Sequence, residues 1–286
     1  MAALPALAAC TATPAALACS AGEPRAVPEA IHETSGAAWS DLDSGRFWTL
    51  NDGSEGVLYA MDTTGALVAR VETRGGRLRD VEDLAGAPCP AGYCLYLADT
   101  GDNAERRESV AVYRVAEPAP GAEAVDRTGF PMRFPDGPRD VEALFVLPGE
   151  RLHLVTKGRN HPPTLYRYPG PLVADSVVTL ERLNALGTRS ASFTGRITGA
   201  SWIPGTEDLV MVRSYESLPL YRITDAGMER VGGSELTLRQ LQEAQGEAVA
   251  AHADGRVLLT SEAGPVASRG TFRILRCQVD PGGTSP

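Results

Sequence analysis

The chain has 286 residues, 43% of them hydrophobic, with 30 Gly, 21 Pro and a formal net charge of -9. That apolar share can fill one large core, while so acidic a surface repels nucleic acid polymers and anionic membranes and suits cations. From Gly22 onward no apolar run reaches the length of a membrane span, so no transmembrane span is expected in the mature chain.

Residues 1–21 are small and apolar, with no acidic or basic side chain before Glu23, and read as an export signal or a lipoprotein leader. Leu7-Ala8-Ala9-Cys10 has the pattern at which lipoproteins are cut and acylated, so the expected location is secreted or lipid-anchored at the cell exterior. The folded domain is expected over residues 22–280, with 281–286 as a disordered tail. Cysteine usage fits export. Cys89 and Cys94 bracket Pro90-Ala91-Gly92-Tyr93, a turn that a disulfide could close, and Cys19 could pair with Cys277 if the chain ends meet. Free buried thiols are the alternative.

An internal repeat organises the rest. Its openings are Glu33-Thr34-Ser35-Gly36, Asp80-Val81-Glu82-Asp83, Asp140-Val141-Glu142-Ala143, Ile197-Thr198-Gly199-Ala200 and Gln245-Gly246-Glu247-Ala248, with equivalent positions 47 to 60 residues apart. Each opening leads to an apolar second strand, from Phe47 to Leu50, Leu95 to Ala98, Leu152 to Val155, Leu209 to Val212 and Val257 to Thr260. Third strands carry an aromatic in a constant place: Tyr59, Tyr113, Tyr166, Tyr221 and Phe272. Polar fourth strands, such as Leu67 to Thr73 and Val177 to Leu183, close the first four units. Units of about 50 residues with four short strands predict an all-β five-bladed propeller, with six blades as the alternative. The fifth unit lacks its fourth strand, and Arg25 to Ile31 is expected to supply it and close the ring.

First strands of propeller blades line the central channel, so the openings place Ser35, Glu82, Glu142, Thr198 and Glu247 around one axis. Three carboxylates converging there repel one another unless a cation joins them. Mixed carboxylates and hydroxyls suit Ca2+, whereas zinc would prefer His or Cys. The plainer reading is that these groups cap backbone amides or pair with Arg79, Arg139 and Arg196. Second strands should end at the same mouth as exposed loop tips. Those tips carry Asn51 and Asp52, Asp99 with Asp102 and Asn103, Lys157, Arg213, and Glu262.

The order hydroxyl, glutamate, glutamate, hydroxyl, glutamate resembles the calcium-activated nucleotidases, the soluble apyrases. The likeness is in register from about Glu33 to Arg276, and the segment from Gly199 to Asp208 is similar to the equivalent blade. It implies a five-bladed propeller with calcium on Ser35, Glu82, Glu142, Thr198 and Glu247. Asp99-Thr100-Gly101-Asp102-Asn103 departs from that family's glycine-rich loop and looks like a separate group of exported bacterial propeller proteins. Two functions follow as expectations. One is calcium-dependent hydrolysis of a phosphate ester or nucleotide, with Lys157 and Arg213 clamping a small anionic substrate and Asp52, Asp99 or Glu262 orienting the attacking water. The other is a non-catalytic extracellular binding module stapled by calcium, with Asp102, Asn103 and Arg107 as ligand contacts; Asn51, Asp102 and Asn103 are substrate-binding candidates under the first. A monomer is the expected state.

Overall fold

The computed structural model describes residues 16–264 and 269–280. They form five small, mainly antiparallel sheets arranged as a five-blade β-propeller. Helix is confined, among the described residues, to two short 3-10 turns, and no helix is long and apolar enough to cross a membrane.

Each blade starts at the channel and runs outward. Blade 1 comprises Thr34–Trp39, Arg46–Asn51, Val57–Asp62 and Leu67–Arg74; blade 2 comprises Val81–Cys89, Gly92–Asp99, Val110–Ala116 and Thr128–Arg133. Blade 3 is built from Val141–Leu147, Arg151–Thr156, Thr164–Arg167 and Glu181–Ala185, and blade 4 from Ile197–Trp202, Leu209–Ser214, Ser217–Thr224 and Gly227–Thr237. Gln245–Ala251, Arg256–Glu262, Thr271–Asp280 and Ala16–Ala21 make blade 5. Between blades the chain adds short parallel edge strands, Ala124–Asp126 on blade 1 and Val178–Thr179 on blade 2. The predicted fourth strand from Val177 to Leu183 is therefore split: its start extends blade 2 and its end joins blade 3.

Ring closure differs from the expectation. Ala16–Ala21 pairs along the outer strand of blade 5, from Ala16 opposite Asp280 to Ala21 opposite Leu275. Of Arg25 to Ile31, only Arg25 and Ala26 pair with that strand, while Val27 and Ile31 turn into the core. Part of the segment assigned to the leader is thus a blade strand, because a ladder of six residues and a Cys19–Cys277 disulfide hold it there. The Cys89–Cys94 disulfide also forms, across a hairpin whose Gly92 has φ 103°. Cys10 and residues 281–286 lie outside the described residues.

Packing explains the sequence pattern. Every residue of Thr34–Trp39 and Val141–Leu147 is buried, because a first strand is covered on both faces by neighbouring blades. Leu67–Arg74, at the rim, alternates instead. Five apolar clusters fill the five seams; the one between blades 2 and 3, for example, joins Tyr96, Phe130, Leu154 and Tyr166. The third-strand aromatics Tyr59, Tyr166 and Phe272 are buried there, each supplying a large apolar area to a seam.

Candidate metal centre

Every first strand carries a register shift near its start, between Thr34 and Gly36, Val81 and Asp83, Val141 and Ala143, Ile197 and Gly199, and Gly246 and Val249. The skipped positions are Ser35, Glu82, Glu142, Thr198 and Glu247 with Ala248. A β-bulge leaves its extra residue out of the ladder and re-aims its side chain. These five residues are 4%, 6%, 4%, 1% and 5% exposed. Opposite each opening lies the end of the second strand: Thr34 pairs with Asn51, Val81 with Asp99, Val141 with Thr156, Ile197 with Ser214 and Gln245 with Glu262. The openings and the second-strand tips therefore share one mouth.

Short bonds from blade to blade fix that mouth. Ser35 Oγ donates to the Glu82 carbonyl (2.5 Å), Thr100 Oγ1 to the Val141 carbonyl (2.9 Å), Thr198 Oγ1 to the Glu247 carbonyl (3.1 Å) and Thr260 Oγ1 to the Thr34 carbonyl (2.9 Å). The Ile197 amide completes the ring by donating to the Lys157 carbonyl (3.0 Å). Hydroxyls of the openings thus staple neighbouring blades, while their lone pairs stay available to a cation. Two of the upstream arginines are engaged elsewhere: Arg139 pairs with Asp136 at 3.1 Å, and Arg196 lies over Phe193.

Charge is concentrated at this mouth. Burial pushes Glu82 well above the usual carboxylate range, with Glu142, Asp52 and Asp80 adding to the rise. Glu247 is raised by burial and then by Glu262 and Glu142. Glu142 is pushed up to about 7 by burial while Lys157 pulls against the rise. Asp52 reaches about 6 and Glu262 about 7, again chiefly through burial and neighbouring carboxylates. One cation stands among them: Lys157 Nζ lies 2.5 Å from Glu142 Oε1. Burial works to lower the Lys157 ammonium, and Glu142 outweighs it.

The second-strand tips divide. Asp52 and Glu262 face the mouth, as does Lys157, although it is buried and paired rather than an exposed tip. Arg213 does not. It is 0% exposed, its guanidinium donates to the Ala248 and Thr260 carbonyls and pairs with Glu243, and it cannot clamp an external anion. Asp99 is also consumed, accepting from the Asp80 and Arg79 amides and from Arg107 at 3.0 Å. The carboxylate of Asp102 folds its own loop by accepting the Arg106 and Arg107 amides, both at 2.6 Å. Asn51 holds the Glu33 amide and the Ala30 carbonyl, and Asn103 is exposed on the loop. Arg107 is bound to Asp99 and the Gly101 carbonyl. These polar tips build the loops, because a buried loop must satisfy its own backbone groups.

Several contributors escape the sequence reading. Asp83 follows the blade 2 bulge and is wholly buried, accepting the amides of Leu84 and Leu144, both at 2.8 Å. Burial raises it to about 8 against those amides. Equivalent positions in the other blades are Gly36, Ala143, Gly199 and Ala248, so a single carboxylate occupies a layer otherwise made of small residues. Asp80, Asp52 and Glu82 bring carboxylate oxygens within 4.8 Å of one another. The repeated Asp-Val-Glu of Asp80 to Glu82 and Asp140 to Glu142 was the available signal for Asp80. Tyr215 borders the same carboxylates and is raised to about 12, by burial and then by Glu247.

No family model matches the chain, and no curated protein matches it. Among solved structures, it is similar to the PQQ-bound aldose sugar dehydrogenase of Streptomyces coelicolor, with a TM-score of 0.53 and 13% identity over 93% of this chain and 100% of that chain. The PQQ domain of pyranose dehydrogenase from Coprinopsis cinerea aligns with a TM-score of 0.45 and 9% identity, over 84% of this chain and 81% of that chain. Virginiamycin B lyase from Staphylococcus aureus aligns with 0.44 and 9%, over 91% and 99%. At such identities the likeness to the sugar dehydrogenase is one of fold, and propellers carry many unrelated activities.

Proposed function

We propose that this chain is an extracellular calcium-binding propeller that captures a small ligand at the acidic mouth of its channel. The observation that carries this reading is the coincidence of five bulges with five buried oxygen-bearing side chains at the starts of the five first strands. The residues fit the ion: Glu82 and Glu247 offer carboxylates, Ser35 and Thr198 offer hydroxyl lone pairs, and Glu142 is shared with Lys157. An all-oxygen donor set without His or Cys suits calcium, which accepts six to eight ligands in irregular geometry, better than zinc. Bound calcium would neutralise the repelling carboxylates and polarise a ligand oxygen or water. Two disulfides support an exterior location.

A catalytic version of this reading is favoured by Asp52 and Glu262. Carboxyls raised to about 6 and about 7 are suited to accept a proton near neutral pH. Hydrolysis of a phosphate ester or nucleotide would then rest on Lys157 alone for anion contact, since Arg213 is committed elsewhere. Binding without turnover therefore stands ahead.

The test has two arms on the disulfide-intact protein. Calorimetric titration with calcium should show saturable binding, lost in Glu82→Gln; absence of binding in wild type would sink the reading. Phosphate release from nucleoside di- and triphosphates, with calcium and then with chelator, should stay at background. Calcium-dependent release that Glu262→Gln abolishes while calcium still binds would establish the catalytic version instead.

A further inference from the structure

We infer that the cation of this reading, on which the inference rests, sits off the channel axis on Asp52, Asp80 and Glu82, at the seam of blades 1 and 2. Four of the five ring groups already have protein partners. Lys157 holds Glu142, Gln245 Nε2 donates to Glu247 Oε1 at 2.8 Å, and the Ser35 and Thr198 hydroxyls donate to main-chain carbonyls. Glu82 differs. Its side chain is almost fully buried, yet its carboxylate accepts no hydrogen bond among the described residues. A buried charged group without a partner is costly, and a cation is the partner that such a group lacks.

The neighbours of Glu82 complete a seat. Oxygens bound to one calcium at about 2.3–2.6 Å can lie no more than about 5 Å apart. The carboxylates of Asp52, Asp80 and Glu82 meet that limit, with ligand atoms all within 4.8 Å of one another. Asp52 Oδ1 is shielded from solvent and has no hydrogen-bond partner. Main-chain bonds hold the trio in place: Val81 N donates to the Gly53 carbonyl (2.9 Å), joining the loop of Asp52 to the strand of Glu82, and Gly101 N donates to the Asp80 carbonyl (3.1 Å). At Gly101 a Cβ would run into the Glu82 and Asp80 carboxylates, so only glycine leaves the space they converge on. The charge of Arg107 acts on Asp80 against the effect of burial, but its guanidinium is hydrogen-bonded to Asp99 and the Gly101 carbonyl.

Three carboxylates with no nitrogen or sulfur donor select a hard divalent ion, calcium before zinc or copper. Asp52 and Asp80 are partly exposed, so the ion would keep open positions toward the mouth. Lys157 would remain on the axis with Glu142. The structure therefore assigns the ion to the channel wall and the ammonium to the channel centre.

Calcium calorimetry and terbium luminescence on the full chain separate the two seats. Asp52→Asn and Asp80→Asn should each weaken calcium at least tenfold, with the metal-free melting temperature unchanged or raised, while Glu247→Gln stays within threefold of wild type. If the Asp variants bind within threefold of wild type and Glu247→Gln loses tenfold, the off-axis seat is overturned and the axial one stands. If the wild-type protein binds neither calcium nor terbium at millimolar concentration, both are overturned.

Discussion

Replacing Glu82 by glutamine keeps the shape of the side chain and removes one of three carboxylates whose oxygens lie within 4.8 Å of one another. At that separation, and with an effective dielectric of about 20, each pair of full charges repels by about 3 kcal/mol. Proton uptake, favoured by the raised pKa of Glu82, relieves part of this and leaves about 1–2 kcal/mol to be recovered. A chain of this size gains roughly 2–4 °C per kcal/mol. In chelator at pH 7.5, Glu82→Gln should therefore melt about 2–8 °C above wild type. Calcium reverses the order: wild type gains about 2.7 kcal/mol at a hundredfold excess over its dissociation constant, and the variant gains little. Differential scanning calorimetry in chelator and in millimolar calcium reads both effects. A variant that melts below wild type by the same amount in both media would refute the reasoning, because Glu82 would then be an ordinary structural residue.

Three further outcomes are expected. Arg213→Ala should cost about 3–5 kcal/mol in urea melts, because it leaves Glu243 and the Ala248 and Thr260 carbonyls without their buried donor; a loss below about 1 kcal/mol would contradict that role. His153 is stacked on Phe145 and held by burial down to about 4, so below its unfolded value of about 6.5 only the unfolded chain takes up the proton. Stability should fall by up to about 3 kcal/mol as pH drops from 6.5 to 4, and His153→Phe should remove that component from the pH profile of urea melts. The Cys19–Cys277 disulfide closes nearly the whole chain, with a separation of 258 residues, so Cys19→Ser with Cys277→Ser should lower stability by about 3–5 kcal/mol. An unchanged urea midpoint in that double variant would show that Ala16–Ala21 contributes no closure.

The mouth joins two kinds of polar group that the sequence presents alike. Asp52, Glu82, Glu262 and Lys157 carry raised or opposed charges in a shared space, whereas Asp99, Asp102 and Arg213 are saturated by hydrogen bonds to nearby backbone and side chains. Function is expected from the first group, since an unsatisfied buried charge has free energy to gain from a ligand. The second group gives the first its geometry.

Blade number and the Cys89–Cys94 pairing were legible from residues alone, because four-strand units repeat with their turn chemistry and a tight turn separates those two cysteines, whereas the Cys19–Cys277 pairing stayed open until the chain ends were seen to meet. Closure by Ala16–Ala21 rather than Arg25 to Ile31 was not, since a small apolar segment reads equally as a leader or an edge strand until its partner is in view. Which charges pair was equally hidden. Arg213 and Lys157 occupy the same kind of position after a second strand, yet one turns into the seam with blade 5 and the other onto Glu142. Local pattern sets the strands and their starts, but the partner of a buried charge comes from a neighbouring blade dozens of residues away, so only the closed ring decides it.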